Sequence, residues 1–247
     1  MPETLPPLAP ATLYLVATPI GNLEDITLRA IRTLKESDVV AAEDTRRTGQ
    51  LLKHFGISKP MLSYFKFSEA KRSEEILERL GRGEKVALVT DAGSPGISDP
   101  GERVVKAAIG RGFRVEAVPG PSAVVAALTA SGLPTGEFHF IGFLPHKPGQ
   151  RRTKLESLKT VPGTLVLYES PYRIERLLEE LAGVFGERQV VLARELTKRF
   201  EEFMRGRASD LLNLVRGRRV KGEFVVVISG LDKDRIESSF PCVGSVE

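Results

Sequence analysis

Short apolar runs alternate with charged, amphipathic stretches along most of the chain. The clearest runs are TLYLVA at 12–17, VVAA at 39–42, VALVT at 86–90 and TLVLY at 164–168. Apolar residues fill both faces of such runs, as in the buried strands of a sheet covered by helices. Between the runs, residues 69–80 repeat Ile and Leu at helical spacing. The pattern predicts an α/β protein.

Turn and capping residues divide this pattern into individual elements. We predict strands at 12–17, 39–42, 61–65, 85–90, 114–118, 138–143, 164–168, 189–193, 200–205 and 223–228. We predict helices at 27–36, 45–55, 69–80, 100–111, 123–130, 153–159, 171–181 and 208–215. The Pro-Gly-Pro turn at 119–121 completes one set of strands and helices, and a second set follows it. The expected divisions are a disordered N-terminus (1–11), an N-terminal α/β domain (12–119), a C-terminal α/β domain (120–231) and a polar tail (232–247).

The stretch 88–101, LVTDAGSPGISDPG, carries more glycine and proline than a plain strand-to-helix turn needs. Proline fixes φ and glycine allows close backbone approach, so the stretch favours a rigid loop whose backbone contacts a ligand. Asp99 and Pro100 have the sequence of an N-cap and a first helical residue. Similar strand-turn-helix segments at 12–28, 114–123 and 164–172 are expected to line the same sheet edge. None carries a dinucleotide-binding or P-loop fingerprint.

Composition limits the class of protein. The 247 residues are 41% hydrophobic and 28% charged, enough for a sizeable core. No apolar run approaches the ~20 residues of a membrane span, and the N-terminus has no signal-peptide pattern, so we expect a soluble, cytoplasmic protein. The one cysteine, Cys242, excludes an intrachain disulfide, and the three histidines have no metal-ligand spacing, so no metal is expected. Net charge is +4, but the cations occur in clusters, which favours a polyanionic partner such as nucleic acid.

Eight segments, in this order, resemble one family. They are ATPIGNLEDITLRA (17–30), AAEDTRRTGQLL (41–52), LVTDAGSPGISDPG (88–101), VPGPSA (118–123), GFLP (142–145), YESPYRI (168–174), RELTK (194–198) and GEFVVVI (222–228). Together they resemble the ribosomal small-subunit RNA methyltransferase I group of the tetrapyrrole methylase superfamily. Relatives that act on tetrapyrroles open with a Gly-x-Gly-x-Gly-Asp loop, whereas this chain has ATPIGN at 17–22. That departure favours the RNA branch.

The resemblance implies two αβα domains with S-adenosylmethionine bound in a cleft between them, a homodimer, and 2′-O-methylation of a cytidine in small-subunit ribosomal RNA. It places the cofactor contacts on Pro19, Asp91, Gly93, Ser94, Pro95, Ile97, Ser122, Ala123, Leu167, Tyr168, Gly222, Glu223 and Phe224. Turns rich in Gly and Pro suit such a ligand because they offer backbone polar groups without bulk.

Removal of the 2′-hydroxyl proton calls for a carboxylate near the ligand. The candidates are Glu169, Asp44 and Glu195, with Glu43 beside them, since each follows an apolar strand. Each also has a structural interpretation: Asp44 and Glu43 start a helix, Glu169 belongs to a turn, and Glu195 pairs with a neighbouring cation.

Several basic side chains are expected to hold RNA phosphates, namely Lys147, Arg151, Arg152, Arg173, Arg194 and Lys198. Tyr172 or Phe143 is a candidate for stacking a base, although core packing is the favoured interpretation of Phe143. Two other functions stay open: methylation of a small tetrapyrrole-like acid, and RNA binding by a protein with a vestigial cofactor fold.

Overall fold

The structure is a computed structural model that describes residues 6–218 and 220–231. Residues 1–5 of the expected disordered N-terminus, and the 232–247 tail with Cys242, lie outside the described residues. Contacts divide the chain into two compact units between Ser122 and Ala123, just after the Pro-Gly-Pro turn.

The first unit alternates strands with helices. Its elements are β1 (Thr12–Val16), α1 (Leu28–Glu36), β2 (Val39–Ala42), α2 (Thr45–His54), β3 (Met61–Ser63), α3 (Glu69–Gly81), β4 (Val86–Val89), α4 (Glu102–Gly110) and β5 (Arg114–Val118). The strands form one sheet in the order β3-β2-β4-β1-β5, and every neighbouring pair is parallel. All five carboxyl ends therefore lie at the same edge of the sheet.

Successive side chains along each strand of the first unit point to opposite faces of the sheet, and each face has a hydrophobic core. Leu13 and Leu88 pack on one face with residues of α3 and α4, including Ile76 and Val104. Tyr14, Val16 and Ala87 pack on the other face with residues of α1 and α2, among them Leu34 and Leu52. This αβα layering explains the continuous apolar runs, because both faces of each central strand are buried.

The second unit contains a mixed sheet. Its elements are α5 (Ala123–Ser131), β6 (Phe138–Phe143), α6 (Pro148–Leu158), β7 (Thr164–Glu169), α7 (Ile174–Phe185), β8 (Gln189–Arg194), β9 (Glu202–Arg207), α8 (Ala208–Val215) and β10 (Phe224–Ile228). The strand order is β6-β7-β10-β8-β9, with β6 and β7 parallel and the remaining pairs antiparallel. One core joins α6, α7 and α8 to the sheet, while α5 contacts β10 and β8 outside that core.

Three boundary predictions are wrong. Residues 6–11, expected to be disordered, contact the first unit: the Leu8 amide donates to the Glu36 carboxylate at 3.2 Å. Helix α4 begins at Glu102 with Gly101 as its N-cap, so Asp99 does not cap it. Helix α7 begins at Ile174 after a turn that contains Ser170 and Pro171. In the last two cases a tight turn continues past the proline that the sequence placed at the helix start.

The expectation that four strand-turn-helix segments line one sheet edge is also wrong. The turns after β1, β4 and β5 belong to the first sheet, whereas the turn after β7 belongs to the second. The sequence contains four similar local signals, but only strand pairing decides which sheet each strand joins.

Arg151 does not have the exposed position expected of a residue that holds an RNA phosphate. Helix α6 starts at Pro148, five residues earlier than predicted, and its inner face carries Arg151 into the protein, where 1% of the residue is exposed. The guanidinium Nε lies 2.6 Å from Glu180 of α7, and Nη2 donates to the same carboxylate at 2.8 Å. Arg151 is therefore an internal link between two helices and cannot hold an RNA phosphate.

Replacing Arg151 should separate its structural role from that of its neighbour. We expect Arg151→Ala to lower the free energy of unfolding by about 3 kcal/mol, because it empties a buried site and leaves Glu180 without its buried partner. Arg152→Ala, one residue away and exposed, should change stability by less than about 0.5 kcal/mol. Urea denaturation of the two variants measures the difference, and equal stabilities would contradict the assignment.

Candidate functional site

The turns after β1 and β4 are joined at the carboxyl edge of the first sheet. Thr18 and Gly93 exchange two backbone hydrogen bonds, at 2.9 Å and 3.0 Å, and the Thr18 hydroxyl donates to the Thr90 carbonyl at 3.1 Å. Gly93 adopts φ of +81°, a conformation that side chains disfavour. Two segments seventy-odd residues apart in sequence thus form one rigid backbone platform.

Beyond this platform, residues 94–101 fold back on themselves. The Gly96 amide donates to the Pro100 carbonyl at 3.2 Å, and the Gly101 amide donates to the Glu69 carboxylate at 3.2 Å. A Cβ on Gly101 would meet the Gly96 nitrogen at 3.0 Å, so the close approach requires glycine. Ser98 has a left-handed φ of 63°, which is strained for a residue with a side chain. The loop leaves Ala92 and Ile97 exposed at its outer side.

Four carboxylates lie at this edge, and they differ in their partners. Asp44 caps α2: it accepts from the Arg46 amide at 2.8 Å and pairs with the Arg46 guanidinium at 2.7 Å. These hydrogen bonds hold the pKa of Asp44 well below its usual range. Asp91 accepts from the Asp44 amide at 3.2 Å and pairs with Arg47 at 3.2 Å. Asp44 is therefore a helix cap and a poor proton acceptor.

The other two carboxyl groups, Glu43 and Asp99, have raised pKa values. Burial raises the pKa of Glu43, and the nearby charge of Asp91 raises it further. Burial raises the pKa of Asp99 to about 6, and the charges of Glu43 and Asp91 add to this effect. Among the described residues, no basic side chain forms a salt bridge with Asp99. A carboxyl group with this pKa exchanges a proton near neutral pH.

A pocket of about 300 Å³ lies beside this edge, within the first unit. Helix α2 forms one wall, the turn after β1 forms another, and the end of β4 closes it. The lining residues are Thr18, Pro19, Leu23, Arg47, Thr48, Gln50, Leu51, His54, Thr90 and Asp91. Only Pro19 and Asp91 among these are predicted site residues. Arg47, Leu51 and His54 follow one face of α2 at i, i+4 and i+7, a spacing that was available from the sequence.

In the second unit, Glu169 is not a free base. Its side chain is fully buried and lies 2.8 Å from the guanidinium of Arg173, and it also accepts from the Ser170 amide at 2.8 Å. Arg173 in turn contacts the Leu144 carbonyl and His146. This geometry favours a structural role over the predicted role of proton acceptor, because a fully buried carboxylate held by an arginine is not placed to reach a substrate hydroxyl.

Glu195 is also committed to its neighbours. It accepts from Lys198 at 2.9 Å and from the Glu223 amide at 3.0 Å. Burial alone would raise the pKa of Glu195, but these hydrogen bonds lower it overall. The turn is strained, with left-handed φ at Glu195 (51°) and Thr197 (64°). This arrangement contradicts the prediction of Glu195 as a base and supports a structural role for it.

The predicted RNA-binding cations divide into paired and free groups. Lys198 lies between Glu195 and Glu223, and Arg194 donates to the Lys221 carbonyl and pairs with Glu202. Arg173 is held by Glu169. Lys147 and Arg152 are exposed. Two aromatic rings are exposed as well: Tyr172 at 96% and Phe143 at 57%, so the favoured core packing of Phe143 is wrong.

The remaining predicted cofactor residues lie in both units. Leu167 and Phe224 are buried core residues of β7 and β10, so only their backbone is available to a ligand. Tyr168 and Ser122 are partly exposed, Gly222 has φ of +95°, and the Glu223 side chain is 82% exposed. Pro95 is buried, whereas Ser94 and Ala123 are partly exposed. No group of three or more His, Cys, Asp or Glu residues in the described part of the chain is arranged to hold a metal ion.

Comparison with known proteins gives a consistent result. The family described as Tetrapyrrole (Corrin/Porphyrin) Methylases matches residues 12–212. The Ribosomal RNA small subunit methyltransferase I of Halalkalibacterium halodurans is 50% identical over 89% of this chain and 76% of its own length. This chain belongs to the ribosomal RNA small subunit methyltransferase I group of the tetrapyrrole methylases. The resemblance read from the eight motifs is confirmed.

Further relatives of this methyltransferase agree. The enzyme of the same name from Streptococcus pyogenes serotype M3 is 48% identical over 90% of this chain and 78% of its own length. Among solved structures, uroporphyrin-III-C-methyltransferase from Thermus thermophilus has a TM-score of 0.61 and 25% identity, and the match covers 89% of this chain and 94% of that chain. The α/β fold class is confirmed. No helix among the described residues is long and apolar enough to cross a membrane.

Asp99 gives this methyltransferase a specific pH dependence of stability. Its carboxyl has a folded pKa of about 6 against an ordinary value of 3.8. The folded state therefore loses stability as pH rises from about 4 through 6, because the unfolded chain gives up the proton more easily. The free energy of unfolding of Asp99→Asn, taken relative to that of the wild type, should be about 1–2 kcal/mol higher at pH 8 than at pH 4.5. This range allows for the partial solvent exposure of Asp99.

Urea denaturation at both pH values measures this gain. Glu24→Gln, which removes the same charge from an exposed position of the first unit, is the control. If the two variants show the same pH dependence, Asp99 has no raised pKa.

Proposed function

We propose that this protein transfers a methyl group from S-adenosylmethionine to the 2′-hydroxyl of a cytidine in small-subunit ribosomal RNA. The observation that carries the proposal is the 50% identity, over 89% of this chain, to a protein named Ribosomal RNA small subunit methyltransferase I. The first turn supports the same branch, because ATPIGN stands at 17–22 in place of a glycine-rich Gly-x-Gly-x-Gly-Asp loop.

The loop after β4 fits the cofactor. S-adenosylmethionine supplies a methyl group already activated by a positively charged sulfur. The backbone amides of Ala92 and Ser94 form no hydrogen bond with a described residue, so they are available to a ligand. The Thr18–Gly93 pairing fixes their position. The proposed cofactor residues belong to both units: Pro19, Asp91, Gly93, Ser94, Pro95, Ile97 and Ser122 to the first, and Ala123, Leu167, Tyr168, Gly222, Glu223 and Phe224 to the second.

Alignment of the acceptor oxygen supplies most of the rate enhancement in this proposal. Positioning gives effective molarities of about 10⁵ M or more, against ~10²–10⁴-fold from a general base. Among the carboxyls of the first unit's edge, Asp99 has the proton affinity that best suits a base near neutral pH. Asp44 and the two carboxylates of the second unit are excluded from this role by their partners.

RNA contacts are proposed on a surface of the second unit that we call the basic surface, formed by Phe143, His146, Lys147, Arg152 and Tyr172. Arg173 holds part of it together, since its guanidinium contacts His146 Nδ1 at 2.8 Å and the Leu144 carbonyl at 3.2 Å. Exposed cations suit phosphates, and exposed rings suit unstacked bases. The homodimer and the cytoplasmic location remain predictions, the latter following from a ribosomal substrate; light scattering of the purified protein tests the former.

Methyl transfer to small ribosomal subunits that lack the modification tests the function directly. Labelled S-adenosylmethionine should place one 2′-O-methyl group on a cytidine, which mapping of ribose methylation locates. Transfer to a small tetrapyrrole-like acid without RNA, or no transfer at all, would overturn the proposal.

A glycine substitution tests the cofactor loop. Gly93→Val should weaken S-adenosylmethionine binding at least tenfold, because the φ of +81° is strained for valine, so the substitution displaces the backbone proposed to hold the cofactor. Gly83→Val is the matched control: Gly83 has φ of +85° and open space around its Cβ position, and it lies at the opposite end of β4 from the loop. Titration with the cofactor should show loss only in Gly93→Val.

A salt titration tests the basic surface. Replacing both Lys147 and Arg152 by alanine should lower the slope of log affinity for RNA against log salt by about 1.4, at ~0.7 per lost phosphate contact. The double variant of Lys35 and Lys106 to alanine removes the same charge from exposed helix positions of the first unit. Equal slopes for the two double variants would show that the basic surface faces away from RNA.

A further inference from the structure

The pocket beside α2 contains polar groups that the fold leaves unused. Thr48 is 4% exposed, yet its hydroxyl forms no hydrogen bond with any described residue. Gln50 and His54, which also line the pocket, form no side-chain hydrogen bond with a described residue either. Gln50 and His54 are exposed, and all three side chains line the pocket, so their polar groups are available to a ligand there.

The charged residues at the pocket disfavour an anionic ligand. Arg47 lines the pocket but pairs with Asp91, which also lines it, and Arg46 pairs with Asp44. A phosphate would therefore meet a carboxylate as well as a guanidinium. The remaining polar groups are a hydroxyl, an amide and an imidazole, each able to donate and accept. They suit a neutral group with several donors and acceptors along one edge.

The walls suit a flat ring. Pro19, Leu23 and Leu51 supply apolar surface on facing sides, and His54 adds an aromatic ring. The volume of about 300 Å³ lies at the lower end of the range for small-molecule sites. A planar heterocycle with hydrogen-bonding edges, such as a nucleobase, matches both the walls and the polar groups.

Strand order places this pocket on one side of the proposed cofactor residues. In the order β3-β2-β4-β1-β5, the pocket spans the ends of β4 and β1 with α2, which follows β2. The proposed cofactor residues of the first unit lie on the turns after β4, β1 and β5. The two sets meet at Pro19 and Asp91. A ligand in the pocket would thus lie next to the cofactor, as a methyl acceptor must.

We propose that this pocket binds the base of the nucleotide that is methylated, a pyrimidine turned out of its RNA. The inference rests on the proposed function. Thr48 and Gln50 contact the hydrogen-bonding edge of the base, and His54 packs against its ring. Held in this way, the base orients its ribose so that the 2′-oxygen faces the methyl group.

Thr48→Val tests the proposal with little risk to the fold, since valine has the same shape and removes only the unpartnered hydroxyl. With small ribosomal subunits as substrate, single-turnover methyl transfer should slow at least tenfold, while S-adenosylmethionine affinity and stability to urea stay at wild-type values. Gln50→Ala should behave in the same way. Lys53→Gln, on the same helix but not lining the pocket, is the matched control and should equal the wild type.

A substrate without the target base separates base binding from a structural effect. An RNA with an abasic ribose at the mapped nucleotide keeps the 2′-hydroxyl but offers nothing to the pocket. The wild type should act on it at least as slowly as Thr48→Val acts on the normal substrate, because every contact with the base is lost. On the abasic substrate Thr48→Val should show no further loss, because the partner of its hydroxyl is already absent. If Thr48→Val slows the abasic and normal substrates by the same factor, the pocket does not bind the base.

Two other results would also overturn the inference. A matching loss of S-adenosylmethionine affinity in Thr48→Val would assign the pocket to the cofactor, and wild-type behaviour of both pocket variants would show that it is unused. Failure of the proposed function has a different signature: the wild type itself would transfer no methyl group to ribosomal RNA.

Discussion

The pairing of Thr18 with Gly93 is the constraint on which the chemistry of the first unit depends. Its two backbone hydrogen bonds join the turns after β1 and β4 at the carboxyl edge of a parallel sheet. Because β4 lies between β2 and β1 in this parallel sheet, the end of β4 also lies next to the start of α2, where the Asp91 carboxylate accepts from the Asp44 amide. The carboxylates and the pocket lie at this same edge.

Partners, more than position, determine what each carboxylate at this edge can do. Asp44 and Asp91 each have an arginine, and Asp44 also caps a helix. Asp99 lies among Glu43 and Asp91 with no salt bridge in the described part of the chain, and its pKa is raised to about 6. Desolvation and like charges raise the pKa of Asp99, whereas charge-assisted hydrogen bonds lower the pKa of Asp44. Acidic residues with similar sequence surroundings thus have different chemistry.

In the second unit, charged groups serve mainly to fix the structure. Glu169 and Arg173 form a buried pair that anchors the turn before α7, and Arg151 with Glu180 links α6 to α7. Breaking one partner of such a pair leaves an uncompensated charge, so these residues are held in one geometry. Tyr172, Lys147 and Arg152 are exposed and outside these ion pairs, and they belong to the surface that we propose for RNA.

The sequence by itself determined the strands and helices, the glycine- and proline-rich loop, and the family, because each is encoded by residues close together in the chain. Local patterns also found Asp44 as a helix cap and Thr18 to Pro19 as a turn. Only the tertiary structure decided that Arg151 is buried while Arg152 is exposed, since the partner of Arg151 lies 29 residues away. It likewise decided that Asp99 is poised to exchange a proton and that Thr48 lines a pocket. Burial and pairing depend on contacts between distant segments, which no local pattern records.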